Sequence, residues 1–285
     1  MRVKRNPYLT PLKALWGKLA NTNGVLFLIV EQIENYEKQQ ERLWKERNIK
    51  VPRFMGAALT ITDLTGPTDN GWRYHYPVGG LSVKGHEFAK MKDEVIRRVS
   101  CFSVAQGYEA FETFLKDTVA RYLHTHQNEA CPKKIQKFEN KWKMKDKSKI
   151  EYWMEFVRKT YRGQGNEKLF EFLRDVVQEL KVGEHDNTRC MDLTKWYKAA
   201  SVARHAITHS RLEVKEGSWK YLDKNDQRYF PCKSEGRRHF LALRRKHAEN
   251  CLEMFAEYGF LIFKCLSKNE GCKWNIVRGM GTERE

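Results

Sequence analysis

Between Phe88 and Leu123 the apolar residues Phe88, Met91, Val95, Phe102, Val104, Tyr108, Phe111, Phe114, Leu115, Val119 and Leu123 keep helical register. Each helical residue turns the side chain by about 100°, so spacings of three and four collect these groups on one face. The pattern holds from Gly85 to about His126, as one long helix or two abutting ones. A stripe of that length must be covered by other elements, and shorter runs of the same period supply them. Ile150–Tyr161, Glu167–Leu180 and Glu235–Leu266 are amphipathic at helical spacing, with Val182-Gly183 expected to end the second of these runs. The predicted fold class is mostly α, a helical bundle over residues 85–268.

Two stretches change period. Leu59 and Ile61 alternate with Thr60 and Thr62, and Trp72, Tyr74 and Tyr76 alternate with Arg73 and His75. Gly66-Pro67 and Asn70-Gly71 lie between, which predicts a β-hairpin with a longer loop. Its aromatics pack inward or stack on bases. Leu212–Cys232, with a polar turn at Asp223–Asp226, predicts a hairpin insertion in the bundle. Ahead of the bundle, Pro7 and Pro11 restrict regular structure up to a short helix near 12–20. A long helix follows over 25–48, apolar at Val25, Leu26, Leu28, Ile29 and Ile33 and leaving the core in its charged second half. The divisions drawn are an N-terminal helix and hairpin region (1–84, with a hinge at Gly79-Gly80), the helical domain (85–268) and a tail (269–285) in which Trp274 docks.

Lys and Arg number 53 against 36 Asp and Glu, a formal charge of +17. Such an excess favours a polyanionic partner, because each cation placed on a phosphate releases condensed counterions. A basic surface kept for solubility is the alternative, and charge alone does not separate RNA from DNA. Pro132–Lys149 carries eight Lys with Phe138 and Trp142 interleaved, so Lys133, Lys134, Lys137 and Lys141 are candidate RNA-binding residues, against a merely solvated face. Arg237, Arg238, Arg244 and Arg245, in the first turns predicted for the last helix, are candidates on the same ground.

Seven Cys without a Cys-x-x-Cys pair suggest neither a disulfide framework nor a zinc ribbon, and point to a reducing, cytoplasmic setting. The apolar run Val25–Val30 has six residues, too few to cross a bilayer, so no membrane association is expected. Gly163-x-Gly165 lacks the preceding strand and third Gly of a dinucleotide loop, and no cofactor is expected. His124 and His126, at a helix end, read as solvated.

Asp192–Leu212 is the stretch in which chemistry concentrates. Leu193, Trp196, Ala200, Ala203 and Ile207 form an apolar stripe, with Asp192 or Thr194 as N-cap. Arg204 projects beside that stripe. His205 and His209 stand further round, about 40° from each other. A guanidinium and two imidazoles thus gather on the last turns of a core helix. Histidine titrates near neutrality and moves protons, and arginine's planar fork matches phosphate oxygens. Structural roles compete with this: Arg204 could pair with Glu171 or Asp175, and His209⁺ could sit against the helix C-terminus. A zinc site is a further alternative for the i,i+4 histidines, but no Glu follows the first and no third ligand is spaced for it. No metal is expected.

Arg204-His205-Ala-Ile-Thr-His209 resembles the Arg-polar-x-x-x-His signature of the HEPN superfamily, all-helical domains of prokaryotic RNase toxins, abortive-infection proteins and CRISPR effector nucleases. Val104–Leu115 resembles the opening helix of those domains, whose aromatic face packs on the motif helix. The resemblance covers roughly 85–268 and implies a metal-independent endoribonuclease leaving 2′,3′-cyclic phosphate and 5′-hydroxyl ends. It also implies a homodimer with a composite site, and a toxin or anti-phage setting in which an antitoxin or other regulator restrains activity. Arg204 would clamp phosphate, His209 serve as general acid/base, and His205 orient either. A non-catalytic module binding RNA or nucleotide, or a dimeric scaffold, is the other reading.

Overall fold

The computed structural model describes residues 6–50, 53–55, 61–62, 74–75, 82–161, 166–219, 221–222 and 228–275. The protein is mostly α. Its helices are α1 (Leu9–Glu46), α2 (Gly85–Thr125), α3 (Pro132–Trp142), α4 (Ile150–Thr160), α5 (Glu167–Val176), α6 (Gln178–His185), α7 (Leu193–His209), α8 (Glu216–Trp219) and α9 (Arg245–Asn269). The strands are β1 (Arg53–Met55), β2 (Ile61–Thr62), β3 (Tyr74–His75), β4 (Ser82–Lys84), β5 (Glu213–Val214), β6 (Cys232–Glu235) and β7 (Arg238–Leu241).

The described residues fall into two compact units, one formed by Leu26–Val99 and the other by the rest. In the smaller unit β1 pairs antiparallel with β4, and β2 with β3 through Ile61↔His75 and Thr62↔Tyr74. The hairpin expected from the alternation near 57–78 is present in that pairing; Leu59, Trp72 and Tyr76, like the Gly79-Gly80 hinge, lie outside the described residues. Within this unit Tyr36 packs near Phe88 and Lys92 binds Glu37 at 2.6 Å.

α1 is continuous where a short helix and a longer one were expected. Pro11 occupies its first turn, where a backbone N–H has no acceptor four residues back, so the ring costs nothing there. Its apolar run is only partly covered: Leu26 and Val30 are buried while Val25 and Leu28 are exposed.

The larger unit is organised around Phe111 of α2. Its ring meets Phe114, Phe170, Tyr197, Phe255 and Tyr258, drawing α5, α7 and α9 onto α2 at centroid distances of 5.4–6.3 Å. The α2 register is borne out at Val104, Phe111, Phe114, Leu115, Val119 and Leu123, all buried; Phe102 is 58% exposed. The run expected as one helix from Glu167 breaks at Val177, which is extended (φ −135°, ψ 95°), so α6 leaves in its own direction. Gly183 does not end a helix. It lies inside α6, where a Cβ would stand 2.8 Å from Leu261 of α9, so it serves close approach. Glu184, 1% exposed, ties these helices: Arg174 of α5 donates to it at 2.7 and 2.9 Å, and the Tyr258 hydroxyl of α9 donates as well.

After α7 comes a three-stranded antiparallel sheet in the order β5-β7-β6. The last helix begins at Arg245, not Glu235. Glu235 pairs with Arg238 across a two-residue loop whose first position, Gly236, has φ +63°, the left-handed value a type II′ hairpin turn needs there. The polar turn at 223–226 lies outside the described residues. All seven cysteines are free, and no described helix is long and apolar enough to cross a membrane.

Candidate functional site

α7 begins as its sequence dictates. The Asp192 carboxylate accepts from the Thr194 and Lys195 backbone N–H groups at 2.9 and 3.1 Å, satisfying two of the donors a helix start leaves open. Burial opposes ionisation of this carboxyl, but those bonds, the Thr194 hydroxyl and His185 hold it below the usual carboxylate range. Leu193, Trp196, Ala200 and Ala203 are buried as expected, whereas the stripe continues through Ala206 and leaves Ile207 half-buried. At the far end the chain turns sharply, with Arg211 and Leu212 both left-handed (φ 50° and 73°). The Leu212 N–H donates to the Ala206 carbonyl, and its own carbonyl accepts from Leu241 of β7, each at 2.9 Å. Two consecutive non-glycine residues held there cost of order 1–3 kcal/mol each, and the sheet maintains them.

This turn presents the predicted trio. His205 and His209 are exposed, their ring centroids 5.1 Å apart and the planes inclined at 48°. Neither ring has a hydrogen-bond partner among the described residues. Burial, then His209, Lys215 and Arg204, push the His205 imidazole below its ordinary range, so it is mostly neutral at pH 7. Arg204 is 32% exposed and meets Glu109 of α2 at 3.9 Å, beyond hydrogen-bond reach; neither Glu171 nor Asp175 is its partner. Its Nε is buried with nothing accepting from it among the described residues. The guanidinium therefore keeps unused donors. Beside His205 lies a small cavity of about 220 Å³, lined by Ser201, Val202, Glu213, Lys215 and Ser218.

A larger cavity of about 750 Å³ opens where α7 starts, among Trp16, Leu193, Phe260, Leu261 and Trp274. Trp274 docks here, with the Lys264 ammonium 4.7 Å from its ring centroid. From Leu193 to Arg204 is eleven residues, about 16 Å along the helix, so this apolar space is separate from the trio.

The basic candidates divide between two places. Lys133, Lys134, Lys137 and Lys141 share α3, a helix where the sequence left a solvated face open. Phe138 is buried against Tyr152 and Phe156, so of the two interleaved aromatics only Trp142 faces solvent. Arg237 and Arg238 are not helical: Arg237 sits at the hairpin tip, and Arg238 opens β7 and faces Glu213 at 3.7 Å. Arg244 caps α9, and Arg245 binds Glu249 at 2.7 Å. His126, read as solvated, stacks on Tyr122 and bonds to Glu270, while His124 bonds to the Ser148 carbonyl at 2.8 Å.

Glu109, Lys215 and Lys159 were not singled out in sequence. Glu109 lies on the solvent side of a helix read for its apolar stripe, and Lys215 meets His205 only through the turn that follows α7. Among the described residues no three His, Cys, Asp or Glu side chains are grouped to hold a metal ion. No family profile, curated protein or solved structure matches this chain.

Proposed function

We propose that the protein is a metal-independent endoribonuclease of HEPN type, acting through Arg204 and His209 with His205 beside them. One observation carries the reading: two imidazoles without a hydrogen-bond partner among the described residues and a guanidinium with spare donors meet at one exposed helix end in a strongly basic chain. In such a reaction the 2′-oxygen attacks phosphorus and the 5′-oxygen leaves. One imidazole accepts the 2′-hydroxyl proton, another protonates the leaving oxygen, and the guanidinium balances charge growing on the non-bridging oxygens.

A single copy lacks the span for this. Its two imidazoles stand at one end of one helix, centroids 5.1 Å apart, and so approach a phosphate from the same side. A second copy of α7 facing the first supplies groups for the other side of the phosphate. Phe102, two turns before Glu109 on the same face of α2, is an exposed apolar group of the kind that a homodimer covers. Restraint by an antitoxin or other regulatory protein, and a role in anti-phage defence in the cytoplasm, belong to the same proposal.

Purified protein incubated with RNA in EDTA tests it. Wild type should cut. Arg204→Ala should lower the rate by about 10²–10³, the usual loss for one transition-state donor, and His209→Ala should remove activity. Cleavage unchanged in both variants refutes the assignment. Failure of the wild type to cut, with RNA still bound, favours the second reading, a non-catalytic RNA-binding module.

A further inference from the structure

The surface around α3 and α4 holds a feature that the trio does not use. Residues 132–161 carry ten Lys and Arg against four Asp and Glu. Three of those carboxylates are already engaged: Glu139 with Lys147, Asp146 with Lys149 and Glu155 with Arg158. Lys133, Lys134, Lys137, Lys141, Lys143 and Lys159 have no carboxylate partner among the described residues. Lys133, Lys137 and Lys141 stand four residues apart, a row with a spacing of about 6 Å on one side of α3.

Trp142 ends that row. It is 41% exposed, with the Lys159 ammonium 4.3 Å and the Lys141 ammonium 5.5 Å from its ring centroid. The arrangement repeats at Tyr161, half-buried, where Lys134 stands 4.7 Å from the ring. A solvated lysine face needs no exposed indole among its cations. Rings with cations held over them bring an aromatic surface for a base and a counter-charge for its phosphates to one place. Duplexes keep their bases stacked inside and cannot use the rings.

We infer that the α3–α4 face binds single-stranded nucleic acid, bases stacking on Trp142 and phosphates lying along the lysine row. The inference deepens the ribonuclease reading and rests on it only for the polymer being RNA.

Fluorescence anisotropy with labelled 2′-O-methyl oligouridine, which lacks the attacking hydroxyl, measures binding without cleavage. Trp142→Ala should raise Kd roughly tenfold, within the range of one base–aromatic stack, and leave the salt dependence as it was. Trp142→Phe should keep most of the affinity, and it guards against a folding defect in the alanine variant. Replacing Lys133, Lys137 and Lys141 by Gln should reduce the slope of log Kd against log salt by about 2, at roughly 0.7 per single-strand phosphate. A duplex of equal length should bind more weakly and ignore Trp142. Equal affinity for duplex and single strand, or no change in Trp142→Ala, overturns the proposal, as does Trp142-dependent binding to phosphatidylserine vesicles without oligouridine binding. Oligouridine binding as described in a protein that cuts no RNA leaves this surface standing and removes the nuclease.

Discussion

Arg204 and His205 show how two neighbouring residues acquire different properties from one turn of chain. Arg204 is drawn toward α2 and faces Glu109, too far for a hydrogen bond, so its charge is positioned without being consumed. His205 shares a small cavity with Lys215, and burial first, then the surrounding cations, disfavour its protonated form. Removing one of them must move its titration upward. In an imidazole proton NMR titration, Lys215→Ala should raise the His205 pKa relative to wild type; an unchanged or lower value would contradict the placement of Lys215. The trio itself was legible in sequence, because helical spacing alone gathers Arg204, His205 and His209 at one helix end. Its surroundings were not. Glu109 is ninety-five residues earlier in the chain, and no local pattern marks it as Arg204's partner.

At the scale of elements, α7 owes its position to a cap at one end and a strained turn at the other. Asp192→Ala removes the acceptor for two backbone donors and should cost about 1 kcal/mol in denaturant unfolding, with Asp192→Asn costing less. The Asp192 carboxyl is held below its ordinary range, so its share of stability is present above the unfolded pKa and is lost as pH falls through the lower, folded one. Wild type and Asp192→Ala should therefore differ in stability at neutral pH and converge in acid. The Glu184 cluster carries more. Glu184→Ala leaves Arg174 and the Tyr258 hydroxyl without their acceptor and should cost about 3–5 kcal/mol, the usual result of halving a buried ion pair. A loss below 1 kcal/mol would mean that Arg174 finds water instead.

Helices with a long stripe were readable, α2 and α7 above all, because periodicity survives any tertiary setting. Elements set by a single residue were harder. Gly236 converts the expected start of the last helix into a hairpin through one left-handed position, and extended Val177 divides α5 from α6 although the apolar period runs through both. Glu184 gave no signal at all, since a carboxylate reads as a surface residue until Arg174 and Tyr258 are brought to it.

For the whole molecule, the charge of +17 and the mostly helical build narrow the partners without choosing among them. The proposed ribonuclease reading rests on the trio and on a second copy proposed to complete it. Phe102→Asp should shift sedimentation toward monomer and lower RNA cleavage together; a monomeric variant of full activity would remove the composite site. Mixing Arg204→Ala with His209→Ala chains should restore part of the activity that neither has alone, because each mixed pair keeps one intact Arg and one intact His.

The chemistry of the new RNA ends tests the central claim most directly. Fragments made in EDTA should carry 2′,3′-cyclic phosphates and 5′-hydroxyls, because the proposed nucleophile is the 2′-oxygen, and RNA blocked by a 2′-methoxy group at the cut should stay whole. Fragments with 3′-hydroxyl and 5′-phosphate ends, or cutting at a blocked position, would contradict it.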